Sequence, residues 1–289
     1  MTARRTNLGT SGWIAMTILM LVVACAVLAP LIAPHDPDAG SLLAAFQGPT
    51  SGHLLGTDST GRDIASRLVY GAQTSLVGPA AIIVLSLLIG VPIALVAAWR
   101  GGAVAFLVNR VLDIIFAIPG LLLAILTVSL FGVGLWPAVI ALAVSYVPYV
   151  ARVVVAAAER ERRLAYVTSL SVQGVGVFRI TAGHMLRNLA PLIVGQATVA
   201  FAYALVDLAS LSFLGLAVQA PRADWGVMVS DRDAILQGHP TQAIAASVAI
   251  VATVLSLFVL GARLSGEQPR RRGLSLPRRP GRTPLEATP

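Results

Sequence analysis

The sequence predicts an all-α polytopic membrane protein with six transmembrane helices. Three observations lead there. Hydrophobic residues make up 56% of the 289 and charged residues only 12%, and the mean hydropathy of +0.82 far exceeds what a soluble domain needs to fill its core. Apolar runs of roughly 20 residues, the length that crosses a bilayer as a helix, recur along the chain. The arginines gather on alternate connections between those runs, as the positive-inside rule requires of cytoplasmic loops.

Composition also excludes things. All 21 basic residues are arginine, and there is no lysine. A P-loop uses a lysine to reach nucleotide phosphates, so this chain does not hydrolyse ATP by that device. Any ATP-driven motor is another polypeptide. The single cysteine, Cys25, rules out an internal disulfide. It follows Val22, Val23 and Ala24 behind Arg4 and Arg5, a loose likeness to a lipoprotein cleavage site. The apolar run continues through Leu28, Leu31 and Ile32, which favours a retained first span. A net charge of +8 would suit nucleic acid, but the arginines flank spans and crowd the C-terminal tail. They read as topology signals and lipid-headgroup contacts, with no nucleic acid as a partner.

Residues 1–34 form the N-terminus and the first span (13–33), closed by Pro34, Asp36 and Pro37. Residues 35–75 form an extracytoplasmic loop, with Asp36, Asp38, Asp58 and Asp63 against Arg62 and Arg67. Its second half opens with turn chemistry and then becomes amphipathic, placing Ile64, Leu68 and Tyr70 to lie along the membrane surface. Residues 76–264 hold the other spans. Span two (76–98) contains Gly90 and Pro92. Span three (111–131) has Asp113 near its start and Pro119 inside. Span four (136–158) contains Pro148, and span five (189–211) contains Asp207. Residues 218–242 return outside, and span six is 243–262. Gly90, Pro92, Pro119 and Pro148 point to bent helices. Residues 265–289 are predicted to be a disordered basic cytoplasmic tail.

This topology sorts the arginines. Arg4, Arg5, Arg100, Arg110, Arg152, Arg263 and the tail arginines fall inside, with five more in the loop 159–188. Only Arg62, Arg67, Arg222 and Arg232 fall outside, so both termini are expected in the cytoplasm.

The loop 159–188 is the longest polar interval between spans. Leu164, Val167 and Leu170 recur at helical spacing, and Gly174 offers a stop. Val177, Ile180 and His184 mark a second short helical stretch. A helix–glycine–helix of this kind suits a partner's groove; alternatively, its arginines only set orientation. Asp207 is the other candidate. An ionisable group at membrane depth faces either a cavity or a neighbouring helix. Ser210 and Ser212 beside it read as helix-packing residues or as part of a translocation path. His35, His53, His184 and His239 are scattered without metal-ligand spacing, and nothing matches a nucleophile elbow or an HExxH pair. No catalytic residue, metal or bound cofactor is expected.

Residues 53–76 resemble the segment before the second span in C-type permease subunits of dipeptide, oligopeptide and nickel ATP-binding-cassette (ABC) importers. The resemblance rests on Gly56-Thr57-Asp58, Gly61-Arg62-Asp63, Ser66-Arg67, Tyr70-Gly71 and Ser75-Leu76. Arg110, Asp113 and Pro119 are similar to that family's third span, and Leu211 to Leu216 with Asp224-Trp225-Gly226 to its fifth-span exit. The resemblance implies a type I importer-like fold in which 159–188 is the coupling loop that docks on an ATPase subunit. Tyr166 and Val167 lead into its motif. Thr168-Ser169-Leu170 stand where Glu-Ala-Ala is usual, Gly174 matches its glycine, and Arg179, Ile180, His184, Leu186 and Asn188 match the stretch beyond. Arg187 stands in place of a proline, Ala217 of a glycine and Ala262 of an acidic residue. The implied partners are a homologous second permease, two ABC ATPase subunits that bind ATP and Mg²⁺, and an extracytoplasmic substrate-binding protein. A proton-coupled secondary transporter using Asp207 is the alternative.

Overall fold

The longest helix starts earlier than the hydrophobic pattern predicts, and that start organises one end of the molecule. The computed structural model describes residues 9–265; Arg4, Arg5 and the tail arginines beyond Arg263, with the predicted disorder of the tail, lie outside them. Helix α1 spans Gly9–Ile32 and α2 spans Ile64–Arg100. Then come α3 (Gly102–Phe116), α4 (Gly120–Phe131) and α5 (Leu135–Arg162). A short α6 (Ala165–Val172) precedes a π-helical stretch, Arg179–Met185, which runs on into α7 (Leu186–Phe213). The remaining helices are α8 (Trp225–Val229), α9 (Arg232–Leu236) and α10 (Thr241–Leu264). Among the described residues, five helices are long and apolar enough to cross a membrane, and the bent pair α3–α4 has the apolar length for a sixth crossing when counted as one span.

Two expectations are corrected here. The third span is not one helix: α3 and α4 meet at 75°. Pro119 caps α4 in an extended conformation, with ψ 126. It has no N–H to continue the ladder of α3, and it disfavours helical geometry at the residue before it. By contrast, Pro92 and Pro148 lie within uninterrupted helices, so they do not break their spans. The second correction concerns Ile64–Ser75. This stretch does not lie along a surface but forms the first three turns of α2. Asp63 caps it, accepting from the Ser66 N–H at 2.8 Å and the Ser66 hydroxyl at 2.7 Å, and Ile64, Arg67, Gly71 and Ala72 are buried.

Arg67 explains why. It is 1% exposed, and its Nη1 donates to the carbonyls of Pro37 and Pro221, each at 3.0 Å. Its Nε lies 3.5 Å from Asp58 Oδ2. That oxygen also accepts from Arg62 Nε at 2.9 Å, while Asp58 Oδ1 accepts from the Thr60 and Arg62 N–H groups and the Thr60 hydroxyl. Burial opposes ionisation of Asp58, but these hydrogen bonds and the Arg62 charge outweigh it and hold the carboxyl below its usual range. Along the same helix, Trp225 Nε1 donates to the Leu68 carbonyl at 2.9 Å, and the Ser75 hydroxyl donates to Asp224 at 2.8 Å. Gly71 makes room for the indole, since a Cβ there would lie 3.0 Å from Trp225 Cδ1. The segments around residues 37, 58 and 221 are thus tied to one face of α2.

Below this hub, α2 and α5 pack along much of their length, with α7 beside them and α10 and α1 beyond. Glycines let the helices approach closely, as membrane bundles require. A Cβ at Gly78 would overlap Leu208, and one at Gly90 would lie 3.2 Å from the Val147 carbonyl. Among the described residues, apolar clusters fill the space between the helices, two of them along α2 and α5. One, around Ile82, Leu142 and Leu208, lies toward the Arg67 end; the other, around Ala94, Val150 and Ala158, lies toward the opposite end.

Replacing Arg67 with Met strands Asp58 with a single cation in a buried setting. The expected loss is about 3–5 kcal/mol, read as a lowered unfolding temperature of the purified protein in detergent. The double variant Arg67→Met, Asp58→Asn loses less than the sum of the two single changes; simple additivity contradicts the pairing.

Candidate functional site

At the end of the bundle opposite Arg67, three elements meet on one carboxylate. Glu161, in the last turn of α5, accepts at Oε1 from the Tyr166 hydroxyl at 2.6 Å and from Asn188 Nδ2 at 2.8 Å. Asn188 Nδ2 also lies 3.2 Å from Tyr166 Oη. Tyr166 is in the first turn of α6 and Asn188 in the first turn of α7. Partial burial and the bond to Glu161 push the Tyr166 hydroxyl up to about 12, so it remains a donor throughout the physiological range. Next to Glu161, Arg162 Nη1 donates to the Ala98 carbonyl at 3.0 Å, and its guanidinium lies 5.5 Å from the Trp99 ring centre. The end of α5 is thereby fastened to α2, α6 and α7.

Helix α6 ends in a Schellman motif. The Val175 N–H donates to the Leu170 carbonyl at 3.0 Å, and the Gly174 N–H to that of Ser171 at 3.1 Å. This closure needs a left-handed residue after the cap. Gly174 supplies it at φ +78, and a Cβ at this position would meet no heavy atom within 4 Å. The glycine is required by its backbone conformation, not by crowding. Val167 is buried among Ile180, Met185 and Leu189, with Leu170 and Val175 packed alongside.

Of the predicted loop residues, the structure brings Tyr166, Val167, Leu170, Gly174 and Asn188 into this assembly. Thr168, Ser169, Arg179 and His184 lie on the exposed side. The second short helix expected around Val177, Ile180 and His184 is continuous with α7 and is not a separate element. Sequence reasoning misses Glu161, although an acid within Glu-Arg-Glu-Arg-Arg, five positions before a tyrosine, is an available signal. Large apolar side chains remain exposed around the assembly: Leu164, Val172, Val177 and Phe178, the last at 83%.

The membrane-depth candidates separate. Asp207 accepts from the Tyr146 hydroxyl at 2.8 Å, and with Phe116, Gly120, Ser145, Tyr149 and Tyr203 it lines a cleft of about 290 Å³. Ser210 bonds back to the Val206 carbonyl. Ser212 is not part of this group: it is buried, and its Oγ accepts from the Val218 N–H at 3.4 Å. Arg152 sorts with the loop arginines by sequence, but it lies within α5, paired with Asp113 of α3 and 4.4 Å from the Phe116 ring centre.

The histidines are not all scattered. His35 and His53 rings lie 4.8 Å apart beside Asp63, a donor set within 4.8 Å that has the composition of a metal site. Its carboxylate already caps α2 through Ser66 and accepts from His53 at 3.0 Å. Those bonds, with the His53 charge, offset burial and hold Asp63 below the usual carboxylate range.

Comparisons with known proteins bear on this arrangement. The family described as binding-protein-dependent transport system inner membrane component matches residues 90–266. The N-terminal transmembrane domain of oligopeptide transport permease C matches residues 10–49. The chain is 40% identical over 237 residues to a di/tripeptide transport system permease of Pseudomonas aeruginosa, covering 79% of this chain and 77% of that one. It is 42% identical over 231 residues to a putative peptide transport system permease of Brucella suis, covering 80% and 77%. It is 31% identical over 214 residues to a probable D,D-dipeptide transport system permease of Escherichia coli, covering 74% and 72%. The chain belongs to the binding-protein-dependent transport system inner membrane component family and is a multi-pass membrane permease of an ABC importer.

A series at Gly174 tests the backbone requirement. Substitution by Asn, Ala and Val is increasingly unfavourable at positive φ. ATP-driven uptake should fall in that order, with the amount of membrane-inserted chain unchanged. Full uptake by Gly174→Val contradicts the assignment.

Proposed function

We propose that this chain is one of two permease subunits that carry short peptides across the cell membrane, and that residues 159–188 couple its motion to an ATPase. The peptide cargo is supported by the names of the relatives, which include di/tripeptide and dipeptide permeases. The coupling role rests on one observation: Glu161 joins the short helix α6 to both flanking spans. A push on α6 is therefore delivered to α5 and α7 together.

The exposed Leu164, Val172, Val177 and Phe178 provide an apolar face for a groove of the ATPase, in the manner of helix-in-groove recognition. Thr168 and Ser169 lie beside that face, in the positions where the family carries Glu and Ala. Two such loops, one on each permease, seat on two ATPase subunits, which bind the ATP and Mg²⁺. With six crossings and the arginines of 159–188 on the cytoplasmic side, both termini are cytoplasmic and the Arg67 hub is extracytoplasmic. The hub end then receives cargo from a substrate-binding protein. ATP-driven closure of the ATPases tilts the bundles between two access states.

The double change Val172→Glu, Phe178→Glu places charge on the proposed docking face while leaving the Glu161 bonds in place. The tagged chain should still insert in the membrane and retain its partner permease but lose its ATPase on purification. Unchanged recovery of the ATPase contradicts docking through this face.

A further inference from the structure

A polar strip runs along one side of the bundle at membrane depth, and one chain alone leaves it partly exposed. On α7, Gln196, Tyr203, Asp207 and Ser210 follow one another at intervals of seven, four and three residues, so they share a face. On α5, Tyr146, Tyr149 and Arg152 do the same at intervals of three. Hydrogen bonds and ring contacts join the two rows. Tyr146 bonds Asp207, Tyr149 Oη lies 3.4 Å from Gln196 Oε1, and the Tyr149 and Tyr203 rings are 6.3 Å apart. The Arg152–Asp113 pair continues the strip toward the end that carries α6, with side chains 39% and 52% exposed. From Tyr146 to Arg152 the helix rises about 9 Å.

Much of the remaining exposed surface of the spans is apolar, with Leu122, Leu126, Val248, Val251 and Leu255 facing outward. Lipid suits those residues but not a half-exposed ion pair and carboxylate. Ionisable groups within a membrane face a bundle interior or a water-filled cavity. Tyr146 occupies only Oδ2 of Asp207, leaving Oδ1 without a partner among the described residues.

We propose that this strip lines the aqueous path through the membrane and that Asp207 is the contact on it for a cationic or N–H-bearing group of the passing solute. The proposal rests on the importer reading above. A peptide's ammonium has the required chemistry, whereas the Arg152 guanidinium farther along the strip is already paired with Asp113. The contact need only be transient, because selection has already occurred when the binding protein delivers the cargo.

The lone cysteine makes the test clean. In the assembled transporter, reconstituted in vesicles on a Cys25→Ser background, single cysteines are placed at Tyr203 and Ser145 on the strip and at Val251 on the apolar face. A small water-soluble cationic methanethiosulfonate should modify the strip positions roughly tenfold or more faster than Val251→Cys, because a thiol in apolar surroundings is less often ionised. Adding Asp207→Asn should slow the cationic reagent at Tyr203→Cys by about threefold or more relative to an uncharged one, as loss of an attracting charge predicts. Strip cysteines as slow as Val251→Cys overturn the path assignment. An unchanged preference for the cationic reagent overturns the contact. If peptide uptake is normal and the strip is unreactive, only this inference fails. If the strip reacts but no peptide is imported, the importer reading for peptides fails instead.

Discussion

A charged group in a membrane bundle must be provided with partners or moved to its ends, and two side chains at opposite ends of this one follow that rule. Arg67 is buried where α2 begins, and its hydrogen bonds gather three loop segments onto that helix. Glu161 lies in the last turn of α5 and gathers α6 and α7. Between them, α2 and α5 pack closely through glycine contacts, and Arg162 closes the pair at the far end. The result is a stiff unit with a polar anchor at each end. In the proposed mechanism, motion imposed on α6 crosses the membrane through this unit.

The departures from the family's coupling motif take on a physical meaning in this frame. Thr168 and Ser169 are exposed, so their identity bears on what the partner touches. It does not bear on how α6 is attached. Attachment depends on Tyr166, Asn188, the buried Val167 and the Gly174 closure; the spacing of the sequence marks Val167 and Gly174, while Tyr166 and Asn188 stand out only through the family resemblance. Loss of the motif's glutamate is therefore compatible with an intact lever, because the acid that matters for attachment, Glu161, comes from the end of the preceding span.

Other features are less legible, each for an identifiable reason. The long apolar helices follow from hydropathy, because the bilayer sets a minimum length for all of them. The true start of α2 is hidden because Arg67 resembles a loop residue until its buried partners, distant in sequence, are known. Pro119 is visible, but Pro92 and Pro148 look the same in sequence and do not break their helices, so only tertiary packing decides which proline breaks a span. Asp207 stands out as a membrane-depth acid, whereas its partner Tyr146 lies 61 positions away and no local pattern connects them. Ser210 and Ser212 are two apart, which on a helix sends them to different faces; one lies near the polar strip and the other supports the loop after α7.

The most direct measurement is the ratio of peptide uptake to ATP hydrolysis in vesicles containing the complete transporter with Glu161→Ala. The substitution removes two hydrogen bonds to a charged group, each worth about 1.5–3 kcal/mol. The apolar docking face and the nucleotide sites are left untouched. The account predicts that the ATPase stays bound and hydrolyses ATP, while uptake per ATP falls roughly tenfold or more. An unchanged ratio, with Glu161→Ala transporting like the natural chain, contradicts the claim that this carboxylate carries the motion from α6 into the spans.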